Sequence, residues 1–352
     1  MNLLSIGLSE TMKSEFDHLK AEESLIIGRV ALEHKRIYRV WTEHQELLCE
    51  IAGKFNYQAL TREDFPAVGD WVALRPRLEE GKGTILQVMP RKSKFSRKQA
   101  GNTAEEQIVA ANVDTVFLVN SLNEDFNVRR IERYLLLAWE SGANPVIVLS
   151  KADLCPNIAE KVTEIEAVTF GGVPIIPISA EKNQGLEQLA PYLEPGKTIA
   201  LLGSSGVGKS TLTNRLLGEE KQAVKEIRAT DDRGRHTTTH RELVLLPNGS
   251  ILIDTPGMRE LQLWNSTSGL SETFSDIELL ASQCKFKDCS HRNEPGCAVT
   301  AAVETGMLMS ERLSSYNKLQ KELAFIERKS DKRAQSEERK KWKKVHNQKN
   351  KY

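Results

Sequence analysis

The chain has 352 residues, enough for two or three domains of roughly 100–200 residues each. Its 39% hydrophobic and 28% charged residues fit a globular protein and exclude disordered, collagen-like and membrane-spanning classes. Lys and Arg number 49 against 48 Asp and Glu, a net charge of +1, so only the distribution of charge along the chain can point to a polyanionic partner. The N-terminus, MNLLSIGLSETMKSEF, has no basic region ahead of its short apolar run, and no later stretch approaches 18 apolar residues. A soluble, cytosolic chain without membrane contact is expected.

Residues 25 to 89 carry five short runs rich in Val, Ile, Tyr and Trp: LIIGRVAL, RIYRVWT, ELLCEIAG, GDWVALRP and TILQVMP. Five strands within about 70 residues suit a small barrel of the OB type, a scaffold often used on oligonucleotides, and residues 1–90 are assigned to it. Residues 91–108 lack apolar periodicity and carry Arg91, Lys92, Lys94, Arg97 and Lys98, which reads as a basic linker. From 109 to 263 apolar strands alternate with helical segments: DTVFLVNSL, VRRIERYLLLAWESG, NPVIVLSKADL, IAEKVTEIEAV, VPIIPISA, LEQLAPYL, KTIALLG, KSTLTNRLLG and SILIDTPG. That is the βαβ rhythm of a parallel sheet, whose doubly buried strands read as continuous aliphatic runs. Residues 264–327 form a third domain, ending in a helix with Leu313, Tyr316, Leu319, Leu323 and Ile326 on one face. The tail, 328–352, holds eleven basic residues against Asp331, Glu337 and Glu338, a net +8. It is a separate polybasic feature suited to RNA.

The chemistry concentrates in a few motifs. Gly203, Ser204, Ser205, Gly206, Val207, Gly208, Lys209, Ser210 and Thr211 match G-x-x-x-x-G-K-[ST] between a predicted strand and a predicted helix. In such a loop the backbone amides and helix N-terminus cradle phosphates, Lys209 reaches the β- and γ-phosphates and Ser210 ligates Mg²⁺. Asp254, at the end of an apolar strand, opens D-x-x-G and can hold Mg²⁺, while Gly257 would sense the γ-phosphate. Between them lies GRHTTTH, in which a threonine hydroxyl, assigned to Thr238 with Thr237 and Thr239 as alternatives, caps Mg²⁺. Base selection falls to Ser150, Lys151 and Asp153 at the end of VIVLS, with Asp153 accepting two hydrogen bonds from guanine, and to Ser179 and Ala180 at the end of PIIPI. Serine stands at 150 where Asn or Thr is usual, so a weaker tie between base loop and phosphate loop is expected. Met258 offers no group to orient an attacking water, which leaves His236 as the candidate catalytic residue and predicts slow intrinsic hydrolysis. Cys284, Cys289, His291 and Cys297 supply three thiolates and an imidazole, a closed tetrahedral set for one structural Zn²⁺. Cys49 and Cys155 read as small apolar residues.

The base-specificity motifs precede the phosphate loop, a circular permutation of the usual GTPase order. Together with GRHTTTH, DTPGMREL and CKFKDCSHRNEPGCAV, this order resembles the ribosome small-subunit-dependent GTPase A family over nearly the whole chain. The resemblance implies a multidomain α/β protein: an N-terminal OB-fold β-barrel, a central circularly permuted P-loop GTPase domain and a C-terminal helical zinc-binding domain. It also implies GTP hydrolysis stimulated by the small ribosomal subunit during late maturation, contacts to 16S rRNA, and a role for His236. The expected cofactors are one structural Zn²⁺, and Mg²⁺ with GTP; the expected partners are the small subunit, 16S rRNA and GTP or GDP, with the chain a monomer. An RNA-binding assembly or translation factor with a slow regulatory nucleotide site is the rival reading; a P-loop ATPase or nucleotide kinase is disfavoured by Lys151 and Asp153.

Overall fold

The computed structural model describes residues 2–19, 25–34, 36–98, 106–169, 172–218, 241–254, 268–292 and 294–328. His236, Thr238, Gly257, Met258 and the basic tail from 329 lie outside them, as does the side chain of Asp254. The chain divides into two compact units, Met1–Gln262 and Leu263–Tyr352. No helix among the described residues is long and apolar enough to cross a membrane.

The first unit begins with a 3-10 turn at Leu4–Ile6 and helix α1 (Glu10–Leu19). Strands β1 (Ile26–His34), β2 (Ile37–Thr42) and β3 (Glu46–Ile51), helix α2 (Gly53–Gln58), and strands β4 (Trp71–Arg77) and β5 (Lys82–Val88) follow. The five strands are those expected. They close in the order β1-β2-β3-β5-β4, with β4 returning to pair with β1. Alternate residues point inward, as the two-residue period requires, so Val30, Tyr38, Val40, Leu47, Cys49, Val72, Leu74 and Ile85 fill the barrel. Cys49 belongs to this core, where burial pushes its thiol up to about 12.

The segment expected to be a basic linker instead carries a β-hairpin, β6 (Lys94–Lys98) against β7 (Glu106–Ala111). Three of its cations are engaged within the fold. Arg91 donates to both carboxylate oxygens of Asp70 (2.8 and 2.7 Å) and to the carbonyls of Glu63 and Phe65. Lys92 donates to Asp114 (2.6 Å), and Lys94 pairs with Glu63 and Glu106.

Beyond the hairpin the strands and helices alternate as read. They are β8 (Thr115–Ser121), α3 (Val128–Ser141), β9 (Asn144–Ser150), α4 (Ile158–Thr169), β10 (Ile175–Pro177), β11 (Thr198–Leu202), α5 (Lys209–Leu216), β12 (Arg241–Leu245) and β13 (Ile251–Asp254). LEQLAPYL forms a 3-10 helix, Leu186–Tyr192, with Pro191 inside it. In space the strands run β10-β9-β8-β11-β13-β12, all parallel except β12. The core beneath the phosphate loop includes Phe117, Val119, Val148, Ile199, Leu201, Val207 and Leu212. The far end of β1 pairs with β12 (Leu32 with Glu242, Glu33 with Arg241), so barrel and parallel sheet form one hydrogen-bonded surface.

A buried arginine fastens the same junction. Arg29, 1% exposed, donates to the Ile6 carbonyl (2.5 Å), the Thr198 hydroxyl (2.8 Å) and the carbonyls of Gly69 and Asn112. Burial draws its pKa down to about 10, with Asp114 and Asp70 opposing the shift, so it stays a cation at neutral pH.

The second unit is helical: α6 (Ser268–Thr273), α7 (Ser275–Ala281), α8 (Ala298–Glu304) and α9, residues 310–328. Along α9, Tyr316, Leu319 and Leu323 are buried as expected, while Leu313 and Ile326 are half-buried. Arg312 also lies on the buried face; it donates to both oxygens of Asp276 (2.7 Å each) and to the Thr273 carbonyl, and lies over Phe274.

Candidate nucleotide site and metal centre

Because β9, β10, β11 and β13 are parallel, their C-terminal ends share one edge of the sheet. In open α/β sheets this edge binds ligands where strand order reverses, here between β8 and β11. Gly203 to Gly208 leave β11 at this point and α5 starts at Lys209. Two glycines are required sterically: a Cβ on Gly203 would meet the Val119 carbonyl at 2.3 Å, and Gly208 caps the helix at φ 91°. Lys209 folds across the loop and donates to the carbonyls of Gly203 (2.6 Å) and Ser204 (2.5 Å). Ser210 and Thr211 lie exposed in the first turn of α5, where unpaired amides and the helix dipole favour anions.

The base loop meets the phosphate loop directly. Ser150, the last residue of β9 and 3% exposed, donates its hydroxyl to the Val207 carbonyl at 2.5 Å, with the Asn120 carbonyl at 3.3 Å on its other side. A serine at this position thus reaches the phosphate loop directly. Lys151 turns the chain through φ 58°, and the Ala152 amide then bonds the Ile178 carbonyl at 3.0 Å. Asp153 follows, hydrogen-bonded to Ser179 and 3.8 Å from the Lys182 ammonium. The Ser179 bond, with Lys182 adding to it, holds the Asp153 carboxyl below the usual carboxylate range, so it is an acceptor at neutral pH. Ser179 and Ala180 lie in a tight turn closed by the Ser179–Gln184 bridge.

Sequence reasoning passed over three residues that assemble these loops. Arg215 of α5 donates to the carbonyls of Ala180 (2.7 Å) and Glu181 (3.0 Å), joining the phosphate-loop helix to the Ser179–Ala180 turn. Arg130 of α3 donates to the Ser204 hydroxyl (3.0 Å) and pairs with Asp125. All three are charged residues, and nothing in their local sequence separates them from neighbouring charges such as Arg129, which pairs with Glu132 of its own helix. Asp254 ends β13 at the same edge.

In the second unit, Cys284, Cys289, His291 and Cys297 come together with all four ligand atoms within 4.8 Å of one another, a set that can hold one metal ion. Cys284 Sγ lies 3.8 Å from Cys297 Sγ, and His291 Nδ1 lies 3.7 and 3.6 Å from the two sulfurs. Cys297 caps α8. Burial alone would raise its thiol, but hydrogen bonds from the Thr300 hydroxyl and amide, with His291, bring it down to about 6 and favour the thiolate a metal needs.

Comparison with known proteins agrees with this arrangement. The family model described as RsgA GTPase matches residues 88–264, and one described as 50S ribosome-binding GTPase matches 198–334, starting at the first residue of β11. The Small ribosomal subunit biogenesis GTPase RsgA 2 of Lactiplantibacillus plantarum is 50% identical over 325 residues, covering 92% of this chain and 90% of that protein. The Small ribosomal subunit biogenesis GTPase RsgA of Opitutus terrae is 46% identical over 355 residues, covering 98% and 96%. Among solved structures, YjeQ from Thermotoga maritima superposes with a TM-score of 0.64 at 31% identity, over 85% of this chain and 99% of that one. YloQ, described as a circularly permuted GTPase, gives 0.62 at 26% identity over 87% and 97%. With half its residues under that family's model and relatives near half identical along almost its whole length, the chain belongs to the RsgA GTPase family.

Proposed function

We propose that this GTPase binds the small ribosomal subunit, acts in its late maturation, and hydrolyses GTP to GDP and phosphate with stimulation by that subunit. The nucleotide half of this reading is supported by the Ser150 hydroxyl on the Val207 carbonyl, a contact between the phosphate loop and the loop read as selecting guanine, although the chain visits them in permuted order. The partner is supported by the relatives' names, which describe small-subunit biogenesis GTPases along almost the whole chain. The closed five-stranded barrel and the polybasic tail suit contacts to 16S rRNA.

Ser210, Thr238 and Asp254 would hold Mg²⁺, which neutralises charge developing on the β- and γ-phosphates. Gly257 would report the γ-phosphate, and His236 would orient the attacking water in place of Met258. The metal of the second unit is read as Zn²⁺. Tetrahedral bonds of about 2.3 Å to sulfur and 2.05 Å to nitrogen place two sulfurs about 3.8 Å apart and sulfur and nitrogen about 3.6 Å apart. The observed 3.8, 3.7 and 3.6 Å match that set. A closed set of three thiolates and one imidazole makes it a structural site and suits a reducing cytoplasm; the chain is taken to act there as a monomer.

The test is hydrolysis of GTP and ATP by the purified chain, alone and with small or large ribosomal subunits. Slow GTP turnover that rises steeply with small subunits alone supports the proposal. Turnover that no subunit raises would leave the partner wrong and favour a slow regulatory nucleotide site. His236→Ala should remove the stimulated rate and spare nucleotide binding.

A further inference from the structure

Ser204 is held from two sides. Its carbonyl receives Lys209 at 2.5 Å. Its hydroxyl sits between the Arg130 guanidinium (3.0 Å) and Asp125 Oδ2 (3.2 Å). Arg130 itself is fixed on Asp125 by two parallel bonds, 2.7 and 2.9 Å, and reaches the Asp125 carbonyl as well. Neither residue belongs to a nucleotide-binding motif: Asp125 lies in the loop after β8, and Arg130 stands in the first turn of α3, which Asn127 caps through the Arg130 amide.

We infer that Arg130 and Asp125 are positioning residues of the phosphate loop, locking Ser204 and through its carbonyl the path of Lys209. A glycine-rich loop binds phosphate only while its amides converge, and glycines make that arrangement entropically costly to hold. The fork of a guanidinium on a carboxylate is stiff and directional, so it supplies rigidity the loop's own sequence lacks. Arg130, with its hydrogen bond to Asp125 first, keeps that carboxyl below its ordinary range; Ser204 and the charge of Lys151 act the same way. Asp125 is therefore an anion within the field of the base loop and in contact with the phosphate loop.

This inference rests on the chain binding guanine nucleotides, and GDP affinity of the native protein, measured alongside, separates a failure of that premise from a failure of the inference. Arg130→Met, Asp125→Asn, Ser204→Ala and the double variant Arg130→Met with Ser204→Ala would be titrated with fluorescent GDP and assayed for intrinsic GTP turnover, without ribosomes. A loosened loop weakens ground state and transition state together, so KM for GTP and Kd for GDP should rise about tenfold while kcat moves less than about twofold. The double variant should be no worse than the single ones, because both remove one linkage. Ser204→Thr, which keeps a hydroxyl, should restore most of the affinity, and Arg130→Lys should not. Losses that multiply to about a hundredfold, unchanged Kd for GDP in Arg130→Met, or a fall in melting temperature and kcat with KM unchanged would each overturn it.

Discussion

Arg29 in the first unit and Arg312 in the second are both almost wholly buried, 1% and 2% exposed, yet they are held by opposite means. Arg29 spends its donors on carbonyls and one hydroxyl gathered from the N-terminal turn, the barrel, the turn between β7 and β8 and the start of β11. Arg312 spends its donors on one carboxylate and one carbonyl supplied by α7 and α6. The first unit has a filled barrel and a sheet core, and can solvate a cation with backbone dipoles distant in sequence. Among its described residues the second has four helices, three of them of seven residues or fewer, a small set on which to build an apolar core. Its described residues are tied by the Arg312–Asp276 pair and carry a Cys/His cluster able to hold a metal ion.

That contrast can be broken most sharply by a chelator. Metal removal should unfold the second unit, seen as new proteolytic cleavage between residues 263 and 328, while the first unit keeps its affinity for GDP. Equal loss from both units would mean that the metal sustains the whole chain. Next in size, Arg312→Met strands Asp276 and should cost the second unit about 3–5 kcal/mol, whereas Arg29→Met leaves carbonyls and a hydroxyl unpaired and should cost the first about 2–3 kcal/mol. Differential scanning calorimetry, with each loss assigned to its own transition, would check the order. Ser150→Ala removes one hydroxyl bond to the phosphate loop and should weaken GDP by about fivefold, with no effect on the melting of the second unit. The smallest expectation is a null one. Asp153 titrates below the ordinary carboxylate range, so its acceptor form persists above that depressed pKa and is lost only as pH falls through it. Preference for GTP over ATP should therefore stay flat from pH 8 to about pH 5, as paired binding titrations would show.

Most of the fold was legible because its signals are local. Tyr38 and Val40, or Leu47 and Cys49, alternate with less buried neighbours as a barrel strand must, and the aliphatic runs of β8, β9 and β11 announce doubly buried parallel strands. The metal set was legible from four residues within 14 positions. What stayed hidden depends on partners far along the chain. Arg91, Lys92 and Lys94 looked like a solvated linker because Asp70, Asp114 and Glu63 lie 21 to 31 residues away. Arg130 reaches Ser204 across 74 residues and Arg215 reaches Ala180 across 35, distances at which spacing carries no information. Ser150 reaches the Val207 carbonyl across 57 residues, a contact that its own neighbours in sequence do not announce.

The continuity of β1 with β12 also settles how this molecule keeps its edges quiet. A parallel sheet ending in β12 would offer a row of unpaired amides and carbonyls to any passing strand, a template for aggregation. The end of β1 that extends past the barrel closure lies on that row, and the opposite margin, β10, is three residues long and ends in Pro177. Both margins are thus blunted, one by a neighbour and one by brevity and proline. A GTPase domain cut free of its barrel would bare β12, and self-association through that strand is the expected result.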